Sequence, residues 1–293
     1  MAEGITEKIT EKTFFSALLK AVKNNKLVTG AVIYLVLVIV VSMCAPILPI
    51  SGPNEGKLIN SLTPPSFITG DGSGFLFGTD MFGRDILSRI IYGARTSLSI
   101  ALLSTALSMA IGTILGMVAG YIRSMDMLIS RIVDVQLAFP PIVLAIVIVA
   151  ALGSPSAAKL VVVMTIRGWV GYTRIVRSLV LTLRESLLIE SSRCIGCSKA
   201  RIIFIHLLPN VISSAVAVAI IQIPQFIIQE ASLSFMGLGI PISQPSWGGM
   251  LQQGQQVIYA AWWPIVFPAI AISSIVFAGI IVGNKVSSHF ERA

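Results

Sequence analysis

Charge is scarce in this chain. Asp, Glu, Lys and Arg make up 12% of its 293 residues, where a soluble domain carries about 25%. Acidic residues are the rarer sign, 13 against 21 basic ones. The two histidines, His206 and His289, are too few for a metal cluster. The three cysteines, Cys44, Cys194 and Cys197, are an odd number and form no disulfide framework. Cys194-Ile-Gly-Cys197 lacks the second pair that zinc needs and the context that redox use needs. No G-x-x-x-x-G-K-[ST] occurs, and Gly52 to Lys57 has the wrong spacing, so no phosphate loop is present. Ser156-Ala-Ala-Lys159 matches S-x-x-K, but neither S-D-N nor K-T-G accompanies it. No catalytic or metal site is expected. The net charge of +8 comes without a basic patch interleaved with aromatics, which excludes nucleic acid as a partner.

What the chain has instead is apolar length. Hydrophobic residues reach 55%. Six stretches approach the ~20 apolar residues that cross a hydrocarbon core: Leu27–Leu48, Ser97–Tyr121, Val133–Leu152, Ala158–Val180, Val211–Glu230 and Ala260–Val282. Backbone groups in lipid must pair within their own segment, so the expectation is an all-α polytopic membrane protein of about six helices. Pro140-Pro141 sits inside the third stretch and predicts interfacial or broken first turns there. Basic residues cluster between the stretches: Lys8, Lys12, Lys20, Lys23 and Lys26 in the tail, and Arg174, Arg177, Arg184, Arg193, Lys199 and Arg201 further on. The positive-inside rule puts both groups, and both termini, in the cytoplasm. Arg84, Arg89 and Arg95 fall on the opposite side, offset by Asp71, Asp80 and Asp85. Phe14, Phe15, Leu18, Leu19 and Val22 fall at helical spacing, which suits either an interfacial helix or a partly disordered tail. The tail lacks the proportions and cleavage site of a secretory signal, and Val41-Ser-Met-Cys44 is a poor lipoprotein box.

Two polar patterns stand out within the apolar stretches. Ser104, Ser108, Gly112, Gly116 and Gly120 recur every fourth residue, a small-residue face that lets another helix approach closely, in this chain or a second subunit. Gly279 and Gly283 make a shorter seam. Gln222, Gln225 and Gln229 lie at i, i+3 and i+7, one polar helix face suited to a water-filled path or to interhelical bonds. Glu230 adjoins them, and Arg167 lies near the middle of the fourth stretch. Ionisable groups at membrane depth are costly, so Arg167 and Glu230 join the glutamines as candidates for a translocation path. Arg167 either faces a cavity or pairs with an acidic or carbonyl group.

Phe77-Gly78-Thr79-Asp80-Met81-Phe82-Gly83-Arg84-Asp85-Ile86-Leu87-Ser88-Arg89 closely resembles the G-T-D-x-x-G-R-D-x-x-S-R signature of permeases of dipeptide/oligopeptide/nickel-type ABC importers. The likeness continues through Tyr92–Ser99, Asp134–Pro140, Gly168–Arg174, Glu230–Phe235 with Gly237-Leu-Gly239, and Pro245-Ser-Trp247-Gly248, in family order. Glu190-Ser-Ser-Arg-Cys-Ile-Gly196, followed by His206-Leu-Leu208-Pro209, resembles the family's E-A-A loop. Ser191 and Ser192 stand in place of its two alanines and are small too. Arg167 replaces a usually apolar residue, and Gly283-Asn284-Lys285 lacks an acidic residue often found after that glycine.

The resemblance implies a type I ABC importer permease fold and a non-catalytic subunit of the inner membrane of a prokaryote. It implies residues 1–26 as a cytoplasmic tail, 27–48 as the first transmembrane helix, 49–96 as an external segment, 97–283 as a five-helix core and 284–293 as a cytoplasmic tail. The loop at about 184–209 would couple to an ATPase through Glu190, Ser191, Ser192, Gly196, Leu208 and Pro209. Gly78, Thr79, Asp80, Gly83, Arg84 and Asp85 would be structural. The implied partners are a homologous permease subunit, two cytoplasmic ATPase subunits holding ATP and Mg, an extracytoplasmic substrate-binding protein and the lipid bilayer. No cofactor is expected in the chain itself. Short peptides are the leading substrate class, with nickel, opines and oligosaccharides as alternatives. A self-contained channel or secondary transporter is the competing reading, but such proteins often carry internal repeats, and none is found.

Overall fold

A computed structural model describes residues 25–70, 74–153 and 156–290. The helical spacing of Phe14 to Val22 lies outside the described residues. Helix α1, Lys26–Met43, is capped by Asn25, whose side chain accepts from the Leu27 amide at 3.0 Å. It ends ahead of Pro46, short of Leu48, because proline cannot continue the ladder. Helix α2, Ile86–Tyr121, runs 36 residues from an Asp85 N-cap that accepts from the Ser88 amide at 2.9 Å. Helix α3, Arg123–Ala138, and helix α4, Pro141–Leu152, meet at a bend of 97°. Phe139 between them is extended (φ −90°, ψ 135°), as a residue before proline prefers. Helix α5, Ala157–Leu183, starts at Ser156, whose Oγ accepts from the Lys159 amide. The S-x-x-K spacing is thus a helix cap. A short helix α6, Leu187–Cys194, precedes helix α7, Lys199–Phe235. Helices α8, Trp247–Gln256, and α9, Trp263–Phe290, complete the chain.

Four of these helices are long and apolar enough to cross a membrane, namely α1, α2, α7 and α9, and the bent α3–α4 pair makes a fifth if it is one span. Helix α5, at 27 residues or about 40 Å, has the length. Its basic residues, Lys159, Arg167, Arg174 and Arg177, set it apart from the others in composition. Five of the six expected stretches therefore fall largely within one helix, while the third, Val133–Leu152, is divided between α3 and α4; α2 begins at Ile86 rather than Ser97, and α9 continues to Phe290 through residues read as a tail. The early start of α2 buries polar groups that the fold satisfies. Ser88 Oγ donates to the Ser51 carbonyl at 2.5 Å, and Arg89 donates to the Pro53 carbonyl at 2.9 Å. Among the described residues there is no strand, only isolated bridges between Gly56 and Arg84 and between Thr79 and Asp85.

The seam on α2 packs against α5 of the same chain. A Cβ added at Gly112 would lie 2.6 Å from Tyr172 Cβ, and one at Gly116 2.8 Å from the Thr173 carbonyl. At Gly120 it would lie 2.7 Å from Val180 Cβ. Thr173 Oγ1 donates to the Gly112 carbonyl across the gap, at 3.2 Å. Ser104 and Ser108 are fully buried higher on the same face. On the other side of α7, Gly279 lets α9 close on Pro224, a contact that a Cβ would bring to 2.6 Å.

The segment between α1 and α2 is tied to α2, α8 and α9 by the Gly78–Asp85 motif. Asp80 accepts from the Phe82 and Arg84 amides at 2.8 and 3.0 Å, and pairs with Arg84 at 2.7 Å and Arg89 at 3.6 Å. Arg84 also donates to Gln253 of α8 at 2.5 Å. Thr79 accepts from the Thr63 amide through its side chain at 2.8 Å, and its carbonyl receives the Trp263 indole N–H at 3.0 Å. Gly78 and Gly83 are pressed on the Thr63 and Lys57 carbonyls, where a side chain has no room.

A bulky side chain in the α2 seam must push the helices apart. Gly112→Leu is expected to cost ~3 kcal/mol or more and to lower the melting temperature and yield of the purified protein. Gly30→Ala on α1, where nothing lies within 4 Å of the new methyl, is the matched control and should be neutral or slightly stabilising.

Candidate functional site: a docking helix and a polar cavity

Helix α6 is amphipathic over only eight residues. Ile189 and Ser192, three apart, face inward, and Ile189 packs in a cluster with Val176, Val180, Ile202 and Leu207. Arg193 fastens α6 to the end of α2, its guanidinium 5.1 Å from the Tyr121 ring centre. The opposite face is exposed and holds Leu187, Leu188, Glu190, Ser191 and Ile195, with Leu187 83% and Ile195 80% accessible. The two serines thus differ. Ser192 is buried and donates to the Leu188 carbonyl at 2.7 Å, while Ser191 is on the outer face.

Gly196 ends α6 at φ +79°. Its amide donates to the Arg193 carbonyl at 3.0 Å, and the Cys197 amide donates to the Ser192 carbonyl at 3.1 Å. These two bonds define a Schellman cap, which needs a left-handed residue at its centre. Nothing lies within 4 Å of a Cβ at Gly196, so the glycine answers to its backbone angle and not to crowding inside the chain. Cys194 and Cys197 flank this turn as free thiols. Leu208 and Pro209 lie past a π-turn at Ile202–Leu207, in which the Leu208 amide donates to the Ile203 carbonyl. Pro209 has no amide to donate and its ring crowds the carbonyl four residues back, so the wider turn relieves both problems.

The second candidate region is a cavity of about 270 Å³ lined by residues of α3, α4, α5 and α7. It brings Arg167, Gln222, Gln225 and Gln229 together, along with Gln136 and Arg174. Gln136 donates to the Ile166 carbonyl at 2.7 Å and bridges α3 to α5. From sequence, Arg174 is one of the topology charges and the end of the Gly168–Arg174 block, not a candidate for the path. Its spacing of seven from Arg167 is the signal that places both on one helix face.

Glu230 does not join this cavity, which corrects its assignment to the path. One residue beyond Gln229 is 100° further round the helix. That turn carries Glu230 to full burial, where it accepts from Ser97 Oγ of α2 at 2.8 Å and Ser234 Oγ at 2.7 Å. Its role in the fold is to join α7 to α2.

Residues 112–293 match the family model described as the binding-protein-dependent transport system inner membrane component. The chain belongs to that family. It is 40% identical to the dipeptide transport system permease protein DppC of Alkalihalophilus pseudofirmus, over 90% of this chain and 85% of that protein. It is 41% identical to the glutathione transport system permease protein GsiD of Pectobacterium atrosepticum, over 73% and 71% of the two chains. A solved chain of the MetNI methionine ABC transporter, in an inward-facing conformation, superposes with a TM-score of 0.52 at 21% identity. It covers 68% of this chain and 96% of its own length, and the likeness supports the type I importer permease fold. The permease is therefore a membrane-embedded transport subunit of a bacterial system that depends on a binding protein. In this permease the G-T-D motif lies within the structural ties among α2, α8 and α9, while the E-A-A loop forms the exposed α6 turn.

Neighbouring residues of α7 should respond differently to substitution. Glu230→Ala strands two buried serine hydroxyls and is expected to destabilise the permease by ~2–3 kcal/mol. Gln229→Ala, at the cavity wall, should leave the melting temperature of the purified protein within a degree or two. Equal losses from both variants would remove the distinction between the two faces.

Proposed function

We propose that this permease forms half of the translocation path of an ABC importer for short peptides. The second half would be a homologous permease, and two ATPase subunits would bind ATP and Mg on the cytoplasmic side. The dipeptide and glutathione assignments in the relatives' names support the substrate class. Helix α6 would face the cytoplasm and seat on an ATPase subunit, consistent with the basic residues that surround it. A binding protein on the outer side would deliver substrate to the polar cavity.

The observation that carries the coupling role is the shape of α6. Ile189, Ser192 and Arg193 anchor it to the body of the permease, while Leu187, Leu188 and Ile195 are left in the open. Apolar side chains grouped on a protruding helix are a docking surface. Glu190 lies among them, its carboxylate without a hydrogen-bond or ion-pair partner among the described residues and available to a basic group of the ATPase. Nucleotide chemistry belongs to the partner in this arrangement. The permease converts the partner's movement into access to the cavity from one side or the other.

The Schellman turn supplies the test. Gly196→Val forces a β-branched residue to positive φ, at a cost of ~1–2 kcal/mol, and should redirect the exposed tip. ATP-driven uptake is expected to fall at least tenfold while the variant still inserts in the membrane. Gly196→Asn tolerates the left-handed angle and should retain most uptake. Wild-type uptake and ATPase co-purification with Gly196→Val would overturn the docking role of this turn.

A further inference from the structure

The four basic residues of α5 divide by task. Lys159 Nζ donates to the Leu152 carbonyl at 2.6 Å. Arg177 holds α3 through two bonds to Asp126, at 2.5 and 2.8 Å. Arg167 and Arg174 have no side-chain hydrogen bond or ion pair among the described residues, and both line the polar cavity. At 100° per residue, Arg167, Gly171 and Arg174 fall within about 60° of one another, and the two arginine positions are about 10 Å apart along the axis. Gly171 is exposed, and nothing lies within 4 Å of where its Cβ would be, so the floor between the guanidinium groups is open. The face that carries them is opposite Trp169, Tyr172 and Val176, which pack on α2.

A second, apolar lobe of about 220 Å³ adjoins the first. It is lined by Ile142, Ala145, Val163, Met164 and Leu233, and it shares Pro141, Arg167 and Gln229 with the polar lobe. A cavity of about 150 Å³ takes up benzene, so this lobe has room for a leucine or phenylalanine side chain. Among the described residues, no acidic side chain lines either lobe. Two positive charges without neutralising partners, set in a low-dielectric wall, favour an anion. Guanidinium is matched in shape to carboxylate. A carboxylate with an apolar side chain on the adjacent carbon matches the C-terminal residue of a peptide. The glutamine amides would meet the peptide's backbone, and Gln222 Oε1 is a buried acceptor that lacks a donor.

We propose that Arg167 and Arg174 form a carboxylate-accepting pair in the permease. Arg167, at the border of the two lobes, would read the free C-terminus while the apolar lobe takes the last side chain. Arg174 would take the carboxylate next along the path. The inference rests on the peptide-import reading and assigns part of the substrate selection to this subunit. Arg167 and Arg174 are then specificity-determining residues.

The test uses the complete importer in vesicles, with loaded binding protein at concentrations that saturate its ATPase, so that delivery is not limiting. The probes are alanyl-leucine and alanyl-leucinamide. Wild type should take up the free acid faster. Arg167→Gln is expected to slow the free acid about tenfold and bring the acid-to-amide ratio towards one, while Arg167→Lys keeps the preference. Arg174→Gln should lower the ratio by a smaller factor. It also carries the test if Arg167→Gln fails to assemble, because Arg174 is exposed and bonds to no other described side chain. Uptake of both probes with the wild-type ratio in the assembled glutamine variants overturns the carboxylate pair and leaves peptide import standing. Uptake of neither probe by assembled wild type overturns peptide import, and the pair falls with it.

Discussion

The rest of the permease depends on how closely α2 and α5 approach. In lipid there is no hydrophobic gain from bringing two apolar helices together, so packing contacts and interhelical hydrogen bonds must hold them. Gly112, Gly116 and Gly120 provide that contact by letting the α5 backbone lie directly on α2. Thr173 adds a bond to the Gly112 carbonyl, an acceptor that only a close approach brings within reach. With one face of α5 committed in this way, its rotation is fixed. The opposite face, with Arg167, Gly171 and Arg174, must then look into the cavity.

The same rotation sets the end of the molecule that carries α6. Val176 and Val180 continue the buried face of α5 into the cluster that receives Ile189 of α6 and Leu207 of α7. The anchored side of α6 is thus continuous with the α2–α5 seam, and its exposed side points away from it. At the other end, Asp80 gathers Arg84 and Arg89, and Arg84 ties the segment between α1 and α2 to α8 through Gln253. Buried ion pairs add little net stability, but loss of one partner strands the others, so such a cluster fixes position more than it adds stability. Glu230 does the same between α7 and α2, with hydroxyl partners.

Much of this was legible in the sequence because period and composition are local. The fourfold repeat of small residues on α2 and the i, i+3, i+7 glutamines on α7 both lie on the faces that helical spacing assigns them. The small residues meet α5 of the same chain, a choice that spacing alone leaves open. What escaped was decided by distant partners. Ser88 and Arg89 look too polar to begin a membrane helix until the Ser51 and Pro53 carbonyls come within reach of them. Glu230 looks like part of the glutamine face until Ser97, far away in sequence, closes over it. Arg174 was hidden by its neighbours, since Arg177 and Arg184 made it look like one more topology charge.

The bend between α3 and α4 sets a condition on what surrounds the molecule. Helix α4 rises only about 18 Å over its 12 residues, against a hydrocarbon thickness of about 30 Å. At Phe139 and Pro140 the backbone leaves the helical ladder, and polar groups of non-helical backbone persist at membrane depth only beside protein or water. Acyl chains are therefore poor neighbours for this wall, and the mismatch would thin the bilayer around it. Phe139 and Pro141 border the polar cavity, so the polar side of the molecule and the side that lipid seals poorly are the same. A lone copy in a bilayer would leave a defect there, so a protein neighbour on this side would seal the membrane as well as cover the cavity.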